Sequence, residues 1–174
     1  MSIVLALLAA LAGVGTLLWR LNAAADATKG LAETAGDLAN MRRRWGWRRK
    51  ANVDALLLVD DPRIAAVTMM TAIAQSDGAL TAAERTAIVR QSMDHFNCGS
   101  KSAEEMLGYA RFLLAETRDP ANCFLKLRPL IVKSCNAKER TDLIAMLRIV
   151  AAADGATGET ERLAIDQLAR DLAI

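Results

Sequence analysis

Proline, glycine and aromatic residues are scarce in this chain, and histidine is almost missing. Three prolines and ten glycines interrupt 174 residues, and only 4% are aromatic. Without any sustained period-two alternation, this composition sets sheet aside and points to an all-α fold of packed helices. With His95 as the sole histidine, a histidine-dependent triad would rest on one residue. No G-x-S-x-G, phosphate loop or dinucleotide fingerprint occurs either, so a binding protein is expected rather than an enzyme. The three cysteines, Cys98, Cys123 and Cys135, are odd in number and lack C-x-x-C spacing. That argues against a disulfide framework and against a zinc site built with His95, and it fits a reducing compartment. Met69, Met70, Met93, Met106 and Met146 fall at apolar helical positions and read as core filling.

A strong excess of one charge is missing too, for the net charge is +2. Its distribution is uneven: residues 1–50 carry eight Lys and Arg against three Asp and Glu, leaving fourteen against seventeen in residues 51–174. The mildly acidic remainder offers no cationic face for phosphates, so nucleic acid is not an expected partner.

Ser2 to Trp19 contains no charged residue, a run close to the ~20 residues that span a bilayer as a helix. Residues 2–20 are therefore expected to be a transmembrane anchor. Ala23, Ala24 and Ala25 offer a cleavage-like site, but no Lys or Arg precedes the run as a signal peptide would require. Arg20, Lys29 and the cluster Arg42, Arg43, Arg44, Arg48, Arg49 and Lys50 all follow the run, which places the C-terminal part in the cytoplasm by the positive-inside tendency. Trp19 beside Arg20 marks the membrane exit. Trp45 and Trp47 sit among the basic residues of MRRRWGWRRK, a composition suited to anionic lipid as well as to a solvated linker. Residues 21–51 are read as a helical stalk plus this basic segment. Ala6-x-x-x-Ala10 and Ala9-x-x-x-Gly13 would let two anchors approach closely as a homodimer.

From residue 52 to 174, helix signals recur at short intervals. They are Asn52, Asp61-Pro62, the capping boxes Thr81 to Glu84, Ser102 to Glu105 and Asn136 to Glu139, Asp119-Pro120, and Gly158 to Glu161. About seven helices in one compact bundle are expected. A shift of 77 residues lays DGALTAAERTAI, Asp77 to Ile88, on DGATGETERLAI, Asp154 to Ile165, with seven of twelve positions identical. The repeated unit is helix, Asp-Gly turn, helix. The Asp-Gly pair is expected to end the first helix in the left-handed region, and the Glu to face the positive end of the second.

Capping explains the first copy, but Gly158 replaces the capping Thr in the second while the Asp-Gly-x5-Glu spacing persists. That spacing is also the C-terminal half of an EF-hand loop, where Gly allows the turn and Glu supplies oxygens. Ile73 and Gln75, and Val150 and Ala152, occupy the earlier ligand positions, so neither copy alone forms such a site. Both copies together could supply Asp77, Glu84, Asp154 and Glu161 to a hard divalent cation, calcium or magnesium rather than zinc. AQSDGALTAAER and AAADGATGETER resemble the paired Asp-Gly motifs of the tellurite-resistance TerB family. The resemblance covers residues 52–174 and implies a compact helical unit with divalent-metal sites at those four acids, serving bacterial stress responses at the inner membrane. A related domain follows a membrane helix in DjlA-type co-chaperones, but no His-Pro-Asp tripeptide occurs here, so at most a scaffold without a J domain is implied. The expected function is a membrane-tethered, metal-responsive interaction domain with an unidentified protein partner; the alternative is a metal-free adaptor.

Overall fold

The computed structural model describes residues 54–117, 119–155 and 157–173. The expected anchor, stalk, basic Trp/Arg segment and Asn52 cap lie outside these residues. Among the described residues there is no strand, and no helix is long and apolar enough to cross a membrane. Six α-helices follow one another in the described residues: α1 Pro62–Ala74, α2 Ala82–Phe96, α3 Ser100–Glu116, α4 Cys123–Ser134, α5 Ala137–Ala151 and α6 Glu159–Asp171.

Helix α1 is the central element. Ten of its thirteen residues are buried, as expected of a helix that is apolar all round, and it packs against α2, α3, α4 and α5. Asp61 caps it by accepting from the Arg63 amide at 2.8 Å, and Pro62 fills the first turn, where no amide donor is needed. The buried hydroxyls of Thr68 and Thr71 donate to the carbonyls of Ile64 and Val67, so the central helix buries no unmet hydroxyl. Ile64, Met69, Met70 and Ile73 are fully enclosed, each contributing about 1.5–3 kcal/mol by leaving water.

The expected seventh helix is shorter than predicted. Ala55–Leu58 forms only a 3₁₀ turn capped by Asp54, and the chain is already extended at Val59. Two other starts also differ. Helix α3 begins at Ser100 with Gly99 as its cap, while Ser102 turns into the core and its Oγ finds no partner. Asp119-Pro120 opens a 3₁₀ turn, Pro120–Asn122, before α4 begins at Cys123. The capping boxes at Thr81 and Asn136 form as expected. Met69, Met70, Met106 and Met146 are core residues, whereas Met93 is exposed.

The sequence repeat is also a repeat of backbone. Helices α1 and α5 end at Ala74 and Ala151, and α2 and α6 begin at Ala82 and Glu159, so both boundaries obey the 77-residue shift. The flanking residues match in conformation: Gln75 (φ −102°, ψ 7°) with Ala152 (φ −96°, ψ 2°), and Thr81 (φ −75°, ψ 165°) with Gly158 (φ −64°, ψ 153°). Neither first helix ends in the left-handed region, contrary to expectation. The last carbonyls are closed instead by 3₁₀-type bonds, Ser76 N–H to Ile73 and Ala153 N–H to Val150, both at 3.0 Å, which need no left-handed residue. Of the two turn glycines, Gly155 takes a glycine-favoured φ, at +153°, and Gly78 does not.

Candidate metal centre

The two repeats meet at the first turns of α2 and α6. Glu84 stands at the third position of α2, where its Oε2 accepts from the Thr81 amide at 2.7 Å and the Thr81 hydroxyl at 2.8 Å. Glu161 holds the same position in α6, and its Oε2 accepts from the Gly158 amide at 2.8 Å. The second copy thus keeps the returning half of the capping box without a hydroxyl. Capping alone explains why Glu persists after Thr is lost.

What capping does not explain is the meeting of the two. Asp77, Glu84 and Glu161 each place a carboxylate oxygen within 4.8 Å of the others. Glu84 and Glu161 are only 2% and 7% exposed, whereas Asp77 is exposed. Ser76 links the copies further, its hydroxyl donating to Glu161 Oε1 at 3.2 Å. Two carboxylates so close oppose each other's charge. The capping amides and the helix N-termini offset part of this.

The donor set fits a hard cation. Two oxygens bound to one calcium at 2.3–2.6 Å lie at most about 5 Å apart, so the observed spread is compatible; magnesium at ~2.1 Å needs every pair within ~4.2 Å. Zinc, which favours nitrogen and sulfur, finds neither in the cluster.

Asp154, the fourth expected ligand, is exposed and stands outside this group. The two turns differ in backbone conformation at the glycine that follows each aspartate. Asp60 and Asp61 do not join the cluster. His95 and the cysteines form no metal-binding group among the described residues. Burial pushes the thiols of Cys98 and Cys135 up, and that of Cys123 to about 12, which keeps them protonated and poor metal ligands. Ser76 escapes the sequence reading because its counterpart under the shift is Ala153.

A second polar cluster secures the start of the fold. Asp54 accepts from the Leu56 amide, the Thr117 hydroxyl and Lys126 Nζ at 2.8–3.0 Å. Burial alone would raise its pKa, but those three donors together outweigh burial and hold the carboxyl below its usual value. Lys126 also donates to the carbonyl of Asp119.

Comparison with curated proteins finds no match, and comparison with solved structures finds none. Residues 63–174 match the family model described as tellurite resistance protein TerB, a span that contains both repeats and all three clustered acids. The chain belongs to the TerB family.

Proposed function

We propose that this TerB-family chain is a membrane-tethered binding protein whose helical domain responds to a divalent cation, calcium or magnesium, held by Asp77, Glu84 and Glu161. The observation that carries the reading is the convergence of carboxylates from both repeats, two of them buried, at a spacing a hard cation spans. A cation there would join the first turns of α2 and α6 and stiffen the surface around them for a protein partner. The tether rests on the apolar run Ser2 to Trp19 and the basic residues after it. By that reading the helical domain lies on the cytoplasmic side of a bacterial inner membrane.

A metal-free adaptor is the second reading, favoured by one observation: both glutamates already serve as helix caps. Thermal unfolding of the purified chain with and without millimolar calcium, magnesium, manganese or zinc separates the two. A ligand that binds only the folded state must raise its stability. A rise with calcium or magnesium that is absent from Glu84→Gln/Glu161→Gln supports the metal centre. No rise with any ion leaves the metal-free adaptor.

A further inference from the structure

Beside the acidic cluster lies an open groove of about 860 Å³. It is lined by the C-terminal end of α1, by α3 and α6, and by Pro120 and Phe124. The volume is within the range that encloses a small ligand or several side chains. Ser76 and Glu161 belong to both the groove and the acidic cluster.

Two features of α3 point to an occupant. Gly108 sits in the middle of this seventeen-residue helix, where glycine costs about 1 kcal/mol relative to alanine. Nothing among the described residues requires it: a Cβ there would meet none of their atoms within 4 Å. Its bare backbone forms part of the groove wall, which allows another chain to approach α3 closely. Arg111, one turn further on, is the other feature. It and Glu161 are the two charged residues lining the groove. Glu161 is committed to the Gly158 amide and Ser76, whereas exposed Arg111 has no ion pair or hydrogen bond among the described residues. Phe112 next to it is 41% exposed, its ring stacked on Tyr109 at 6.3 Å.

We propose that this groove is the partner surface, and that it takes a short peptide segment of another protein with apolar residues on one face and a flanking carboxylate. The apolar side chains lie over Phe112 and Phe124, the segment's backbone passes Gly108, and the carboxylate pairs with Arg111. Arg111 decides the sign: it is the charge in the groove with no partner among the described residues, whereas Glu161 already accepts from Gly158 and Ser76, and a cation at the Glu161 end would lessen the repulsion that the acidic cluster exerts on an acidic segment. This deepens the proposed function and depends on it only for sensitivity to the ion.

The test uses the full chain in detergent and two fluorescent peptides of roughly 12 residues, ~18 Å long as helices. Both share apolar residues at i, i+3, i+4 and i+7; one is flanked by Asp and Glu, the other by Lys and Arg. Fluorescence anisotropy with millimolar calcium should show the acidic peptide binding at least about tenfold more tightly, a difference of ~1.4 kcal/mol. Gly108→Trp should remove that binding, and Arg111→Glu should reverse the preference, while both stay folded, with an unfolding midpoint no lower than the wild type's and the same response to calcium. No preference, or a preference that survives both substitutions, overturns the groove. An acidic preference lost in Gly108→Trp but indifferent to calcium keeps the groove and removes the ion. A calcium-dependent unfolding shift without peptide selection keeps the ion and overturns the groove.

Discussion

Glu84 and Glu161 each have two tasks, and a single substitution separates them. Gln at the third position of a helix still accepts the capping N–H, so Glu161→Gln keeps the cap and removes only the charge. Without divalent ions its midpoint should equal or exceed that of the native chain, because the repulsion from Glu84 is gone. With calcium its midpoint should not rise. Glu161→Ala loses the cap as well and should cost about 1 kcal/mol in either condition. Parallel thermal melts of the two variants check this, and equal destabilisation of both would show that charge at this position stabilises the fold unaided. The glutamates were legible in the sequence because their spacing survives where the capping hydroxyl does not. Asp154 lies outside the cluster although its motif repeats that of Asp77, and sequence identity at Asp-Gly does not show that the backbone differs at the glycine. Ser76 was invisible because one copy alone carries the hydroxyl that bridges to Glu161.

At the scale of elements, helix starts with a side-chain cap were the easiest to read. Asp61-Pro62, Thr81 and Asn136 all cap as their spacing predicts. Ser102 failed because its capping-box pattern lies inside a helix already begun at Ser100, and a box spacing alone does not say which face its hydroxyl joins. The 77-residue repeat was legible down to the helix boundaries, but the hydrogen bonds that close α1 and α5 were not. The two turns now make opposite predictions for one kind of substitution. Gly155→Ala forces a Cβ into a glycine-favoured φ and should destabilise by about 1–3 kcal/mol. Gly78→Ala meets open space at an ordinary φ and should stay within about 0.5 kcal/mol of the native chain, or gain slightly. Gly108→Ala, in the middle of α3, should stabilise by up to about 1 kcal/mol. Urea unfolding of the three variants measures all of these, and a destabilised Gly108→Ala would mean that α3 needs its glycine for the fold itself.

The molecule as a whole combines a helical domain with a segment read only from sequence. The tether predicts that replacing Arg42, Arg43, Arg44, Arg48, Arg49 and Lys50 with Gln abolishes sedimentation of residues 41–174 with anionic vesicles, since each basic residue near the surface contributes about 1 kcal/mol. Sedimentation unchanged by the replacement would make that segment a plain linker. The helical domain also starts earlier than the family match does. The match begins at residue 63, yet Ala55 and Leu56 are 5% and 1% exposed, and Asp54 ties the chain to Thr117 and Lys126 beyond α3. A fragment of residues 60–174, which keeps the Asp61 cap and Pro62 of α1, would lose the burial of Leu56, about 1.5–3 kcal/mol, and a charge-assisted cluster worth about 1.5–3 kcal/mol more. Against a usual total of 5–15 kcal/mol, such a fragment should unfold at least ~10 °C below residues 54–174. The gap should also depend on pH in a definite direction. The folded-state pKa of Asp54 is lowered, so its contribution is fully present above the ordinary carboxylate pKa near 4 and is lost as pH falls through the lower folded value. The longer fragment's advantage should therefore hold at neutral pH and shrink below about pH 4 to what Leu56 burial alone supplies. A gap that stays constant into acid would assign the whole effect to apolar burial and none to the Asp54 cluster.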